Sequence, residues 1–218
     1  MGARALPAAL LLGVVTGCAA EQEPKEPAAG AKSTATGKST AGAPAGAPAG
    51  SPAGAVAKGG SIGGKGSACV LPVAFDLASG WSPEAVRIDA EFGALKHGPV
   101  TLVCEIDAKP AGNIGYLRVW TGGAGATDPR AALEAFVAEE SKSKKDVAYT
   151  KTTVGGFAAA EVTYLNTDEF LDAPKKERAL AFAAPRGLVV LHLGGMDSEE
   201  HEQMLPAYEL AKKSVHGV

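Results

Sequence analysis

The chain has 218 residues, 46% of them hydrophobic and 21% charged, and 21 Lys and Arg against 24 Asp and Glu leave a net charge of −3. From Ser67 onward the balance is 15 against 21, a net −6. That acidity argues against nucleic acid as a partner and against a domain lying flat on anionic lipid, both of which require basic patches.

The amino terminus and Arg4 begin the chain with positive charge. Ala5–Val15 is then an apolar run interrupted only by Pro7. Such a run is too short to span a bilayer, which needs about 20 apolar residues. A basic start, a short apolar core and small residues after it are the grammar of an export signal. The signal ends on Val15-Thr16-Gly17-Cys18, which resembles the bacterial lipobox: an aliphatic residue, two small residues, then Cys. The resemblance implies that the Cys18 sulfur receives diacylglycerol and that the chain is cut before it. Residues 1–17 are then a signal peptide, and the mature protein is lipid-anchored on the extracytoplasmic face of the cell membrane. Two acyl chains anchor stably where one binds only marginally.

Residues 18–66 read as the anchor and a tether. Between Ala28 and Gly60 the chain uses only Ala, Gly, Pro, Ser, Thr and Lys, apart from Val56. A four-residue unit repeats from Ala41 to Val56, as in Ala41-Gly42-Ala43-Pro44. This composition cannot bury enough apolar area to offset chain entropy, so the expectation is a disordered spacer with a reach of about 40 Å.

Residues 67–218 read as one globular unit, a length that can bury a core. Cys69, Leu71, Val73, Phe75 and Leu77 alternate on one face, the period of a strand, and Pro72 on the other face suggests a sheet edge. Trp81 follows a Ser79-Gly80 turn. Val100–Asp107 alternates again, with Leu102, Cys104 and Ile106 on one face, and Ile114–Thr121 is a third strand. Thr127-Asp128-Pro129 then starts a helix, with Ala132, Leu133, Phe136 and Val137 as its apolar stripe and Lys142, Lys144 and Lys145 near its end. Two hairpins follow. Ala148–Val154 and Phe157–Leu165 flank Gly155-Gly156, while Arg178–Ala184 and Leu188–Leu193 flank Pro185-Arg186-Gly187. Leu188–Leu193 is apolar on both faces, as a central covered strand would be. Met204, Tyr208, Ala211 and Val215 give a closing helix, with Pro206 in its first turn or at a kink. The sum is an α+β fold, a mainly antiparallel sheet with helical cover.

Phe75-Asp76-Leu77-Ala78-Ser79-Gly80-Trp81, the Val154–Ala158 turn and the Leu188–Val215 strand, loop and helix carry a further likeness. They resemble the actinobacterial LpqN-type lipoproteins of PsbP-like fold, over most of residues 72–216. The resemblance implies the fold and supplies no catalytic residues.

Cys69 and Cys104 lie on inward strand faces, and export would place them where disulfides form, so a bond between them is expected. His192, in an apolar strand, reads as a structural histidine. His201, after Glu199-Glu200, is half of a zinc-protease pattern without the second histidine, and reads as part of a solvated acidic helix start. Asp168, Glu169 and Asp172 lack calcium-loop spacing and read as a surface loop. Gly122-Gly123-Ala124-Gly125 lacks the spacing of a nucleotide loop. Tyr116, Arg118 and Trp120 share one strand face; these residue types anchor interfaces, although cover by a helix is the plainer reading. The expectation is therefore no catalytic residue, no metal and no cofactor.

Two functions remain. One is a non-enzymatic regulator that binds another envelope protein, such as a sensor ectodomain; the architecture of anchor, tether and acidic domain resembles that of actinobacterial envelope-stress lipoproteins, and this resemblance implies a negative regulator of envelope-stress signalling. The other is a carrier of a lipid or a cell-wall fragment. If Cys18 is the anchor, Cys18→Ala moves the protein out of the membrane fraction and removes the acyl mass from it. Retention in the membrane with unchanged mass overturns the lipobox reading.

Overall fold

A computed structural model describes residues 56–87, 93–125 and 128–218. The export signal, Cys18 and nearly all of the repeat tract lie outside the described residues.

The order of elements is β1 (Lys58–Ile62), β2 (Val73–Ala78), β3 (Ser82–Ala85), β4 (Lys96–His97), β5 (Val100–Asp107), β6 (Gly115–Gly122), α1 (Pro129–Glu140), β7 (Lys144–Val154), β8 (Phe157–Asn166), β9 (Lys175–Ala184), β10 (Gly187–Gly195), α2 (Ser198–Ser214) and β11 (His216–Gly217). The strand pairing is antiparallel and makes two sheets. The large one runs β3-β5-β6-β10-β9-β8-β7, with β4 added to β5, and the small one runs β1-β2-β11. The fold is α+β, as the change of period along the sequence implies.

Alternation builds the three layers. In β10, Leu188 and Val190 point to a cluster with Leu133, Phe136 and Val137 of α1. Val189, Leu191 and Leu193 point the other way, to a cluster with Met204, Tyr208 and Ala211 of α2 and with Phe75 and Leu77 of β2. The large sheet is thus covered on one face by α1 and on the other by α2 with the small sheet. The hairpin turns have the chemistry they need. Gly155 and Gly156 both adopt positive φ, 57° and 84°, which joins Val154 to Phe157 across a two-residue turn.

The first helix begins as the sequence implies. The Asp128 carboxylate accepts from the Ala131 amide at 2.9 Å, with Pro129 in the first turn of α1. In α2 Asp197 caps the helix by accepting from the amides of both Glu199 and Glu200. Because Asp197 already caps the chain there, Pro206 falls inside α2 rather than in its first turn, and removes one backbone hydrogen bond from it. α1 ends at Glu140, so its last turn carries no lysine; Lys144 instead belongs to β7 and its ammonium donates to the Ser141 carbonyl at 2.8 Å.

Three other expectations need correction. The tether boundary at 66 is too late. Lys58–Ile62 pairs with β2, Lys58 lies 2.8 Å from the Asp76 carboxylate, and Ile62 is buried in the core beside Phe75. The low-complexity composition hides this strand, because Gly59 and Gly60 carry no side-chain signal and only Ile62 supplies apolar burial. Pro72 does not mark an edge strand: β2 begins one residue later, at Val73, and lies between β1 and β11. Leu102, Cys104 and Ile106 do not share a face. A bulge at Val103 shifts the register against β6, so that Leu102 enters the α1 cluster while Cys104 and Ile106 enter the other.

If β1 is part of the core, Ile62→Ala costs about 2 to 4 kcal/mol, the usual range for truncating a buried aliphatic side chain. The midpoint of urea unfolding measures it. An unchanged midpoint would return Ile62 to the tether.

Candidate functional site

Cys69 and Cys104 form a disulfide, with Cα atoms 6.0 Å apart. It ties the segment before β2 to β5 and closes a sequence separation of 35 residues. By loop-closure entropy this contributes about 4 kcal/mol.

The three candidate partner residues of β6 do share a face, the one toward α1, but they do not share an environment. Trp120 is only 1% exposed. It stacks on His97 at 4.6 Å and meets the edge of Phe136 at 5.2 Å, so it is a core residue and no surface anchor. Tyr116 and Arg118 are half-buried and remain at the surface, with the guanidinium 5.0 Å above the tyrosine ring and 2.8 Å from the Glu105 carboxylate.

The reason for this split lies in the sheet register, which lays the α1 face out in rows. Leu102, Trp120, Val190, Ala181 and Ala160 form an apolar row beneath the helix. The next row is Glu105, Arg118, His192, Ala179 and Val162, and the one after it Asp107, Tyr116, Gly194, Glu177 and Tyr164. α1 stops at Glu140, just where the rows turn polar. There an open cleft of about 270 Å³ forms, lined by Tyr116, Arg118, Glu140, Lys175, Glu177 and His192, with Gly194, Ile114 and Met196 beside them. Gly194 keeps its floor open, since a Cβ there would come within 3.2 Å of the Glu177 carboxylate.

Four charged or polar side chains form a chain along this floor. Lys175 lies 2.8 Å from one oxygen of Glu177. The other oxygen lies 3.1 Å from His192 Nε2. Burial pushes the Glu177 carboxyl up, but the hydrogen bond and charge of His192 and the charge of Lys175 outweigh it and hold the group below the usual carboxylate range. On its far side His192 Nδ1 faces Glu140 Oε1 at 3.7 Å, too far for a hydrogen bond. The second Glu140 oxygen is 2.8 Å from His97 Nδ1, without the alignment of a hydrogen bond. Burial lowers the His97 pKa, and the charges of Glu140 and Glu139 only partly restore it, which favours a neutral ring at pH 7. Two further buried polar atoms belong to this face, Trp120 Nε1 and Tyr164 Oη, and neither has a hydrogen-bond partner among the described residues. Among the described residues no group of three or more His, Cys, Asp and Glu is arranged to hold a metal ion.

His192 therefore sits where a structural histidine should, in the covered strand, and is held by Glu177. His201 departs from expectation. It is 3% exposed, not part of a solvated helix start, because α2 turns that position inward against Gly195. Asp168, Glu169 and Asp172 lie in the loop between β8 and β9, together with Phe170, which is 88% exposed. Sequence reasoning missed His97, Glu140 and Glu177. Glu177 was reachable, since counting outward from the Pro185-Arg186 turn puts it opposite Gly194, diagonal to His192.

The described residues form an antiparallel α+β domain with helical cover, preceded in the sequence by the lipobox-like start. Residues 38–215 match a family described as uncharacterised lipoprotein, and the chain belongs to that family. No curated protein matches the chain. Membership carries attachment to a membrane through lipid, and among the described residues no helix is long and apolar enough to cross one.

Burial lowers the His201 pKa from 6.5 to about 4, despite the opposing charge of Glu177. The unfolded chain thus takes up a proton near pH 6.5 that the folded one refuses until about pH 4. Stability from this residue is full above 6.5 and falls as pH drops toward 4, by at most about 3 kcal/mol. His201→Leu should flatten the loss between pH 6.5 and 4, read as the difference in thermal midpoint from wild type at each pH. Parallel curves for the two proteins would overturn it.

Proposed function

We propose that the protein is a non-catalytic modulator of envelope-stress signalling, a negative regulator anchored through Cys18 on the extracytoplasmic face of the membrane. Its domain binds another envelope protein, such as a sensor ectodomain. Anchoring confines both partners to a thin layer, and confinement raises effective concentration without high affinity.

The observation that carries the reading is the distribution of apolar side chains. The residues of the two core clusters are buried, and the α1-face cleft is open and carries the charged side chains of Arg118, Glu140, Lys175 and Glu177, which suits a lipid carrier poorly. Ile114, Phe170 and Met196, by contrast, are exposed and follow one another at one end of the large sheet. An exposed apolar group of this kind favours docking of a protein. The overall design of anchor, low-complexity tether and acidic domain is also similar to the CseA type of actinobacterial lipoprotein, which accompanies a sigma factor and a two-component sensor. That likeness, with the LpqN-type and PsbP-like one, is of architecture.

Deletion of the gene should change envelope-stress promoter output, basal or induced by a wall-active antibiotic. The wild-type gene restores it and the Cys18→Ala form does not. Equal output with and without the gene in both conditions removes the regulatory reading and leaves the ligand carrier.

A further inference from the structure

The Glu140 cleft does not end at its polar floor. Met196 lines it and also lines a second open groove of about 610 Å³, whose apolar wall is Phe170, Leu171, Pro174 and Met196. Phe170 is 88% and Met196 58% exposed, and the Met196 amide donates to the Ile114 carbonyl at 2.9 Å, so Ile114 continues the strip. The charged residues lining this groove are Asp172, Asp197 and Glu199, with no Lys or Arg among them.

At the inner end the electrostatics are unfinished. Glu140 is largely buried, 18% exposed at its side chain, and among the described residues no Lys or Arg lies within ion-pair distance of it. The two cations of the cleft are already committed, Arg118 to Glu105 and Lys175 to Glu177, each at 2.8 Å. His192 Nε2 lies 3.1 Å from Glu177, and its buried Nδ1, on the side of the cleft wall, has no hydrogen-bond partner among the described residues. Across 3.7 Å it faces Glu140 Oε1, too far for a hydrogen bond. A largely buried carboxylate with no Lys or Arg beside it is left poorly compensated, and a donor cation placed against it satisfies it.

Building on the partner-binding reading above, we propose that this continuous surface docks a basic, apolar-anchored segment of a protein partner. Its lysine or arginine reaches Glu140 in the cleft, and its apolar side chains cover Met196 and Phe170 in the groove. The acidic rim supplies the charge complementarity that selects a basic segment and speeds its approach.

The test uses the full-length protein in non-ionic detergent. The probe is a short capped peptide alternating leucine and lysine. Controls are the same peptide with glutamate for lysine, and free cadaverine as a small amine. Binding is read from intrinsic tryptophan fluorescence, since Trp120 stacks on the histidine beside Glu140. The lysine peptide should bind, the glutamate peptide should not, and cadaverine should bind at least about tenfold more weakly. Glu140→Gln should weaken the lysine peptide about tenfold. Phe170→Ser, at an exposed position outside both core clusters, should weaken it severalfold. Equal binding of the two peptides, or affinity unchanged by both substitutions, overturns the proposal. Cadaverine binding as tightly as the peptide also overturns it, and makes the cleft a small-amine site. These measurements do not depend on promoter output, so the regulatory reading and the docking surface can fail separately.

Discussion

A strand that is apolar on both faces must be covered on both, and β10 imposes that condition on the whole domain. Its side chains alternate between two clusters that would each be exposed without a separate cover. α1 meets one requirement. α2 meets the other only in part, and β2, with its flanking strands, fills the remainder. The disulfide, the capped helix starts and the pairing of β11 beside α2 all serve to hold these covers on the central sheet. Burying about 25 cal/mol per Å² of apolar surface makes this the dominant favourable term in the fold.

The same sheet carries polar groups into its interior, and the position of a helix end explains why that is tolerated. Where α1 covers the sheet, the α1 face presents Val190, Ala181 and Trp120. Where the helix has ended, the next two rows present Arg118 with His192, then Tyr116 with Glu177. Glu177 is kept charged by Lys175 and His192, a buried carboxylate with two partners. Glu140 is held less well. It belongs to the helix end rather than to the sheet, so its neighbours are set by how far α1 runs, not by strand register.

Much of this was legible in the sequence. The apolar stripe of α1, the Gly155-Gly156 hairpin and the double-faced run Leu188–Leu193 each carry a local signal, either periodic spacing or a turn requirement. The Cys69 and Cys104 pairing followed from strand faces and compartment. Three features did not follow, each for a physical reason. β1 is held by main-chain pairing and a single buried isoleucine, so its composition looks like the tract before it. The bulge at Val103 changes which face a residue occupies without changing the alternation that a reader sees. Glu140, His97 and Glu177 meet through tertiary packing, far apart in sequence, and only the β9–β10 register could have linked one of them to His192. Trp120 shows the converse: residue type suggested an interface, whereas a helix whose footprint the sequence does not specify made it core.

β1 and the disulfide also have a mechanical meaning. Any tension transmitted along the chain from before Val56 reaches β1 first, and β1 is bound to β2 by a short ladder with an irregular register near Lys58. Peeling that ladder withdraws Ile62 from the core but breaks no strand pairing of the large sheet. Unravelling then stops at Cys69, because the covalent link to Cys104 diverts the force into β5, inside the eight-stranded sheet. The domain can thus lengthen by the Lys58–Cys69 stretch under load while the strand pairing beneath Glu140 and His192 stays intact.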